Sequence, residues 1–312
     1  MTSGDQRRPA VVVVGASRGI GKAIAELAAR DGAPVVLVAR SEVALAAAAD
    51  DIRNAGGEAF TVPLDFLADD AALGLEDFLS ANGLFCDVLV NSAGYGLRGG
   101  ATVLPLDEQL GLVDLNIRAL TELTLRLLPS MVARRRGGVI NLGSVASFTP
   151  GPYMALYYAS KGFVRSFSEA LHQELRHTGV TVTCVAPGPV STEFLATSGA
   201  NRVALFKILP KLEAGYVAEK AWRGFKAGRR LVIPGLSAKL TILLAALVPS
   251  AIMLPLIGRL QRRSKDPCPC GSGKSFTSCC GARGNSPGVS VQADSEALPQ
   301  DGRAAAKRRP PG

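Results

Sequence analysis

Charge and histidine are scarce in this 312-residue chain: 20% of it is Asp, Glu, Lys or Arg, and its two histidines are His172 and His177. So little charge beside 47% hydrophobic residues excludes a wholly disordered chain, and the composition excludes a collagen. Six cysteines are too few for a disulfide scaffold of this length, and a core this large needs no staples. No internal repeat is present, and the two histidines lack metal-ligand spacing. Residues 1–9 are polar and run straight into Ala10-Val11-Val12-Val13-Val14, too short for a signal-peptide core, so a cytoplasmic chain is expected.

What charge there is lies unevenly. Net charge is +9, yet the last 54 residues hold ten Lys and Arg against four Asp and Glu, which leaves the body nearly neutral. Such a basic tail suits nucleic acid, ribosomes or anionic lipid, or simply stays solvated. Cys86 and Cys184 stand alone in apolar segments and read as reduced core residues, whereas Cys268, Cys270, Cys279 and Cys280 lie within 13 positions.

Apolar runs predict buried parallel strands at about residues 10–15, 34–39, 58–64, 86–91, 137–143 and 180–186, with a seventh at 229–233. Helical stretches at 23–30, 42–55, 71–81, 108–135 and 155–178 separate them, and glycines punctuate their ends. The alternation predicts an α/β fold, a doubly wound parallel sheet covered on both faces. The expected organisation is a flexible N-terminus at 1–9, a sheet domain at 10–235, an apolar extension at 236–264, a cysteine module at 265–281 and a disordered basic tail at 282–312.

The first strand leads into Gly15-Ala16-Ser17-Arg18-Gly19-Ile20-Gly21 and then a helix, the context of a phosphate-binding turn. Gly15 makes the tight turn, Gly19 lets backbone approach a pyrophosphate, and Gly21 lets the helix pack close. The helix N-terminus offers free N–H groups and a positive dipole end. An acidic residue ending the second strand would bind the ribose 2′-hydroxyl of NAD, but Val38-Ala39-Arg40-Ser41 has none. Arg18 and Arg40 suit a 2′-phosphate instead, so NADP(H) is expected over NAD(H).

Further signatures follow in order: Asn91-Ser92-Ala93-Gly94 after the fourth strand, Asn116, Ser144 after the fifth strand, Tyr157 and Lys161 as YxxxK, and Pro187-Gly188-Pro189-Val190-Ser191-Thr192 after the sixth. The combination resembles the short-chain dehydrogenase/reductase family over about residues 10–235, which implies a Rossmann-like fold and a small carbonyl or alcohol substrate. A lysine four residues after a tyrosine lies on the same helix face, and its charge is expected to lower the tyrosine pKa toward working pH. The resemblance implies Tyr157 as general acid/base and Lys161 as its electrostatic partner and ribose ligand. It implies Ser144 as donor to the carbonyl oxygen and Asn116 as holder of a relay water. It also implies that Asp65 contacts adenine, that Asn91 stabilises the sheet, and that Ser17, Ile20, Ala93, Gly94, Pro187, Gly188, Val190 and Thr192 belong to the cofactor site. Tyr95, Val145, Phe148, Tyr153, Pro189, Phe194 and Leu195 would line an apolar mouth, suiting a hydrophobic ketone, aldehyde or secondary alcohol, and a homo-oligomer is expected. Two positions depart from the family pattern: Val14 stands where the family has Thr, which puts loop rigidity in question, and Ser92 replaces a second Asn.

The distal cysteines give CxC, eight residues, then CC. Four thiolates close a tetrahedral Zn²⁺ site with no open position, hence a structural one; disulfide pairing is the alternative. The segment resembles the SEC-C motif, which implies a protein-interaction role. A chain ending near Gly258 is then expected to keep cofactor binding and lose the metal. Residues 240–257 are apolar between cationic flanks and contain Pro249 and Pro255, so they either cover the substrate pocket, lie on a membrane surface or span it. Two functions compete: an NADP(H)-dependent oxidoreductase, and a nucleotide-sensing adaptor recruited through the SEC-C segment to a protein or ribosomal partner. The acid/base set favours the enzyme, because an adaptor has no need of it.

Overall fold

A computed structural model describes residues 7–192, 210–262, 266–268, 270 and 272–282. Phe194 and Leu195 lie outside the described residues, as do most of the expected basic tail and the first six residues.

Seven strands form one parallel sheet: β1 (Arg8–Val14), β2 (Val35–Ala39), β3 (Ala59–Pro63), β4 (Leu84–Asn91), β5 (Gly138–Leu142), β6 (Thr181–Val185) and β7 (Leu231–Val232), in the order β3-β2-β1-β4-β5-β6-β7. Val11–Val14 are at most 4% exposed because helices cover both faces. Val11 and Val13 pack with α1 (Gly19–Arg30), α2 (Glu42–Asn54) and α7 (Ala214–Lys226). Val12 and Val14 pack with α3 (Ala71–Ala81), α5 (Leu120–Arg134) and α6 (Ala155–Glu174). The strand order reverses between β1 and β4, and in open α/β sheets ligands bind in the crevice at the carboxyl ends of such a pair.

The helix expected at 108–135 begins earlier, as α4 (Leu106–Val113), and passes through a π turn at Asp114–Ala119 before continuing as α5. Helix α7 is not anticipated by the sequence reading. The apolar extension folds as two helices, α8 (Leu236–Leu247) and α9 (Ser250–Gln261), broken at Val248-Pro249. Among the described residues no helix is long and apolar enough to cross a membrane, so the spanning alternative falls.

Candidate active site and cysteine centre

The glycine turn sits where β1 meets α1. Gly15 has φ +83°, and a Cβ there would lie 2.6 Å from the Ala93 nitrogen, so only glycine lets the two loops at the crevice touch. A Cβ on Gly21 would collide with the Gly15 carbonyl. Helix α1 has no side-chain cap and no acidic residue in its first turn, which leaves its N–H groups and positive end for an anion. The Gly15 N–H donates to Val38 O at 2.8 Å and the Ser92 N–H to Val14 O at 2.9 Å, so backbone bonds hold the loop although Val14 lacks a hydroxyl. Arg18, Arg40 and Asp65 are exposed around this crevice, with Ser17 and Ile20 half-buried in the turn. On the far wall Pro187 and Val190 are buried and Gly188 half-buried, and Thr192 reaches over Gly19, whose Cβ would stand 3.2 Å from Thr192 Cγ2. This uncapped, Cβ-free cradle with Arg18 and Arg40 at its edge fits a dinucleotide phosphate.

Asn91 ties the sheet centre together. Its Nδ2 donates to Asn141 Oδ1 at 2.8 Å and to Thr124 Oγ1 at 3.2 Å, and Asn141 Nδ2 donates to Ser168 Oγ at 2.9 Å. All four side chains are buried, so the network locks β4 and β5 to α5 and α6. Beside it, Asn116 is held on the π turn: its Oδ1 accepts from the Tyr95 N–H at 3.1 Å, and its Nδ2 donates to Tyr95 O at 2.9 Å and Ser160 Oγ at 3.1 Å.

Ser144 follows β5 and caps a 3₁₀ turn at Val145–Phe148, its Oγ accepting from the Ala146 N–H at 3.1 Å. Its hydroxyl is hydrogen-bonded to that of Tyr157 on α6. Lys161, one turn on, is buried and donates from Nζ to Leu142 O at 2.8 Å. Burial drives the Tyr157 hydroxyl up to about 12 against a downward pull from Ser144, and draws the Lys161 ammonium down to about 8 despite an upward pull from Cys184. The expected lowering of the tyrosine by the lysine is therefore absent here. The ammonium lies 6.0 Å from the Tyr157 ring centroid, engaged with a carbonyl, and desolvation wins.

A groove of about 460 Å³ adjoins this site, lined among others by Phe148, Pro150, Tyr158 and Leu254. It runs along Tyr158, and neither Ser144, Tyr157 nor Lys161 lines it. His172 is a half-buried helix residue whose Nδ1 lies 2.8 Å from Val182 O, as an ordinary packing role requires.

The four distal cysteines come together. An isolated antiparallel bridge pairs Pro267 with Ser275, and a 3₁₀ turn follows at Phe276–Ser278. All four Sγ atoms lie within 4.8 Å of one another, and none is in a disulfide. Ligands about 2.3 Å from a tetrahedral ion stand roughly 3.8 Å apart, so the cluster fits a thiolate-bound metal. Hydrogen bonds from Ser272 draw the Cys270 thiol down, while those shared with Cys268 and Cys270 push the Cys280 thiol up, so the protons of this cluster are held in common.

This module is not a separate tail. Asp266 receives both Arg98 guanidinium ends, at 2.6 and 2.9 Å, in a pair whose side chains are 9% and 14% exposed. Gln261 is fully buried and donates to the Tyr158 hydroxyl at 2.8 Å, while Arg262 lies 3.3 Å from the Phe276 ring centroid and bonds the Tyr153 hydroxyl. Arg98, Tyr158, Gln261 and Asp266 were not singled out from the sequence, because only the fold brings residues so distant along the chain into contact.

A family model described as short chain dehydrogenase matches residues 9–202, and one for the SEC-C motif matches residues 265–282. The chain belongs to the short-chain dehydrogenase family. It is an enzyme of the oxidoreductase class, with the doubly wound sheet expected from its sequence. An uncharacterized oxidoreductase of Myxococcus xanthus is 37% identical over 187 residues, 60% of this chain and 74% of that protein. The very-long-chain 3-oxoacyl-CoA reductase of Mus musculus is 35% identical over 187 residues, 58% of this chain and 59% of that protein. A short-chain dehydrogenase from Sphingobium yanoikuyae in complex with NADPH superposes with a TM-score of 0.68 at 31% identity, covering 78% of this chain and 95% of that one.

Proposed function

We propose that this dehydrogenase is NADP(H)-dependent and interconverts an apolar ketone or aldehyde with its alcohol. The observation that carries the reading is the hydroxyl pair of Tyr157 and Ser144, one helical turn from the buried Lys161, at the crevice beside the glycine turn. Bound cofactor supplies the hydride at its nicotinamide. Tyr157 gives its proton to the carbonyl oxygen in reduction and takes it back in oxidation, and Ser144 donates a hydrogen bond to the same oxygen. Lys161 restores the Tyr157 proton, with Asn116 holding the relay water. Arg18 and Arg40 would hold the 2′-phosphate, Asp65 the adenine, and the backbone of Gly15–Gly21 the pyrophosphate. Ala93, Gly94, Pro187, Gly188, Val190 and Thr192 would close round the rest.

The preference for NADP(H) is supported by Arg40 at the end of a strand with no carboxylate, and by the NADPH held by the Sphingobium protein. An apolar substrate suits the groove beside Tyr158 and the long acyl chain named for the mouse relative. The four distal thiolates suit a structural Zn²⁺.

Consumption of NADPH and NADH against a panel of apolar ketones tests this. Tyr157→Phe should lower kcat by about 10²- to 10⁴-fold with NADPH affinity intact, and Arg40→Asp should weaken NADPH far more than NADH. Turnover by Tyr157→Phe equal to the parent, or equal loss of both cofactors in Arg40→Asp, would overturn the respective assignment.

A further inference from the structure

Helices α8 and α9 are built inside out. On α8, Leu236, Leu240, Leu243 and Leu247 recur at helical spacing and are 83%, 55%, 56% and 70% exposed, while the small Ala238 on the opposite side is buried at 2%. On α9 the buried positions are Gly258 and the polar Gln261, while Ile252 and Leu256 face out. Among the described residues, seven of sixteen exposed large hydrophobics fall within residues 236–256, a concentration that marks an interaction surface. The breadth of apolar surface is not matched by length. Each helix has 12 residues, about 18 Å at 1.5 Å per residue, well short of a bilayer core of about 30 Å.

The charges choose the occupant. Residues 236–261 carry Lys239 and Arg259 and not one Asp or Glu, whereas cations before them are answered within the chain, Arg223 by Glu219, Lys226 by Asp31 and Arg230 by Glu169. Lys239 and Arg259 stand exposed on the two helices themselves. A second copy of the chain meeting this face about a two-fold axis would set cation against cation with no carboxylate to answer. An anionic lipid surface answers both Lys239 and Arg259, and each such cation strengthens binding there. Apolar residues outward, cations at the flank and too little length to span together describe an in-plane interfacial element.

We propose that the outward faces of α8 and α9 dock this dehydrogenase onto an anionic phospholipid bilayer, with the leucines in the headgroup–acyl boundary and Lys239 and Arg259 among the phosphates. Leu254, on the same α9, lines the groove beside Tyr158, so an apolar substrate dissolved in the bilayer would meet that groove from its membrane side. That consequence rests on the substrate reading above; the docking itself does not.

Flotation of the full-length, metal-loaded protein with vesicles of phosphatidylcholine, alone or mixed with phosphatidylglycerol, tests the docking without any turnover. Binding to the mixed vesicles is expected, weakening as salt rises. Leu243→Glu with Leu247→Glu should reduce it on the order of a hundredfold, and Lys239→Glu with Arg259→Glu about tenfold. Both pairs of side chains point to solvent, and unchanged NADPH affinity checks that the variants are folded. Equal binding to both vesicle types overturns the proposal. So does unimpaired binding in both variants, which would move the contact to the basic C-terminal residues. A parent that ignores vesicles but loses dimeric mass on the leucine substitutions would give the face to a second copy.

Discussion

At the scale of single residues, burial is the force that sets the chemistry of the site. A lysine four positions after a tyrosine is legible in the sequence, and so is the shared helix face. What the spacing does not carry is the distance from water, and here that inverts the expected pKa effect: Tyr157 rises to about 12 and Lys161 falls to about 8. The lysine shift has a consequence for stability. Between pH 8 and 10.5 the unfolded chain holds a proton on Lys161 that the folded chain has released, so stability should rise with pH across that window. Below pH 8 the full penalty applies, roughly 3 kcal/mol for a shift of this size. Lys161→Met should remove the penalty and flatten this part of the profile. Thermal unfolding from pH 7 to 10 compares the two proteins, and parallel curves would mean that Lys161 is not desolvated as its contacts indicate.

At the scale of elements, β-strands were the easiest to read because both faces of the sheet are covered, and a strand apolar on every position announces itself. Helix α7 carries a signal too: Val217, Ala218, Ala221, Trp222 and Phe225 fall at helical spacing on one buried face. The π turn in the middle of a long helical stretch was not readable, since its cause is tertiary. Asn116 turns inward there to satisfy the backbone of Tyr95, which has no partner of its own in a loop leaving β4. Asn116→Ala therefore strands a half-buried N–H, a carbonyl and part of the Ser160 bonding, and should destabilise the protein by about 1–3 kcal/mol. Asn116→Asp keeps the acceptor for the Tyr95 N–H but sets a buried carboxylate oxygen against the Tyr95 carbonyl, so its loss should be at least as large. Calorimetry of the two variants reads this directly. An alanine variant as stable as the parent would leave Asn116 with no part in shaping the turn.

At the scale of the whole molecule, composition reads the cysteine segment as an appendage, and the contacts show it docked. A CxC and a CC are visible in any printed sequence; the partnership of Arg98 with a residue 168 positions away is not. The expectation that a chain ending near Gly258 would simply lose its metal changes accordingly, because that cut also removes Gln261, Arg262 and Asp266 from Tyr158, Tyr153 and Arg98. Asp266→Ala isolates the strongest of these contacts in the full-length chain. Among the described residues it leaves the buried Arg98 guanidinium the Gln261 carbonyl as its acceptor, and breaking a buried pair from one side costs about 3–5 kcal/mol. Some water can follow the lost carboxylate into a site 14% exposed, so a value nearer the lower end and a fall in Tm on the order of 5 °C are expected. The thiolate cluster is untouched, so metal content should stay at the parent level while it vanishes in the truncated chain. NADPH affinity should hold in both, because the glycine turn between β1 and α1 shares no residue with this contact. KM for a ketone substrate should rise in both, because Tyr153 and Tyr158 flank Tyr157 and lose part of their anchorage. An Asp266→Ala protein with the parent's Tm and KM would show that the module merely rests on the catalytic domain without holding it.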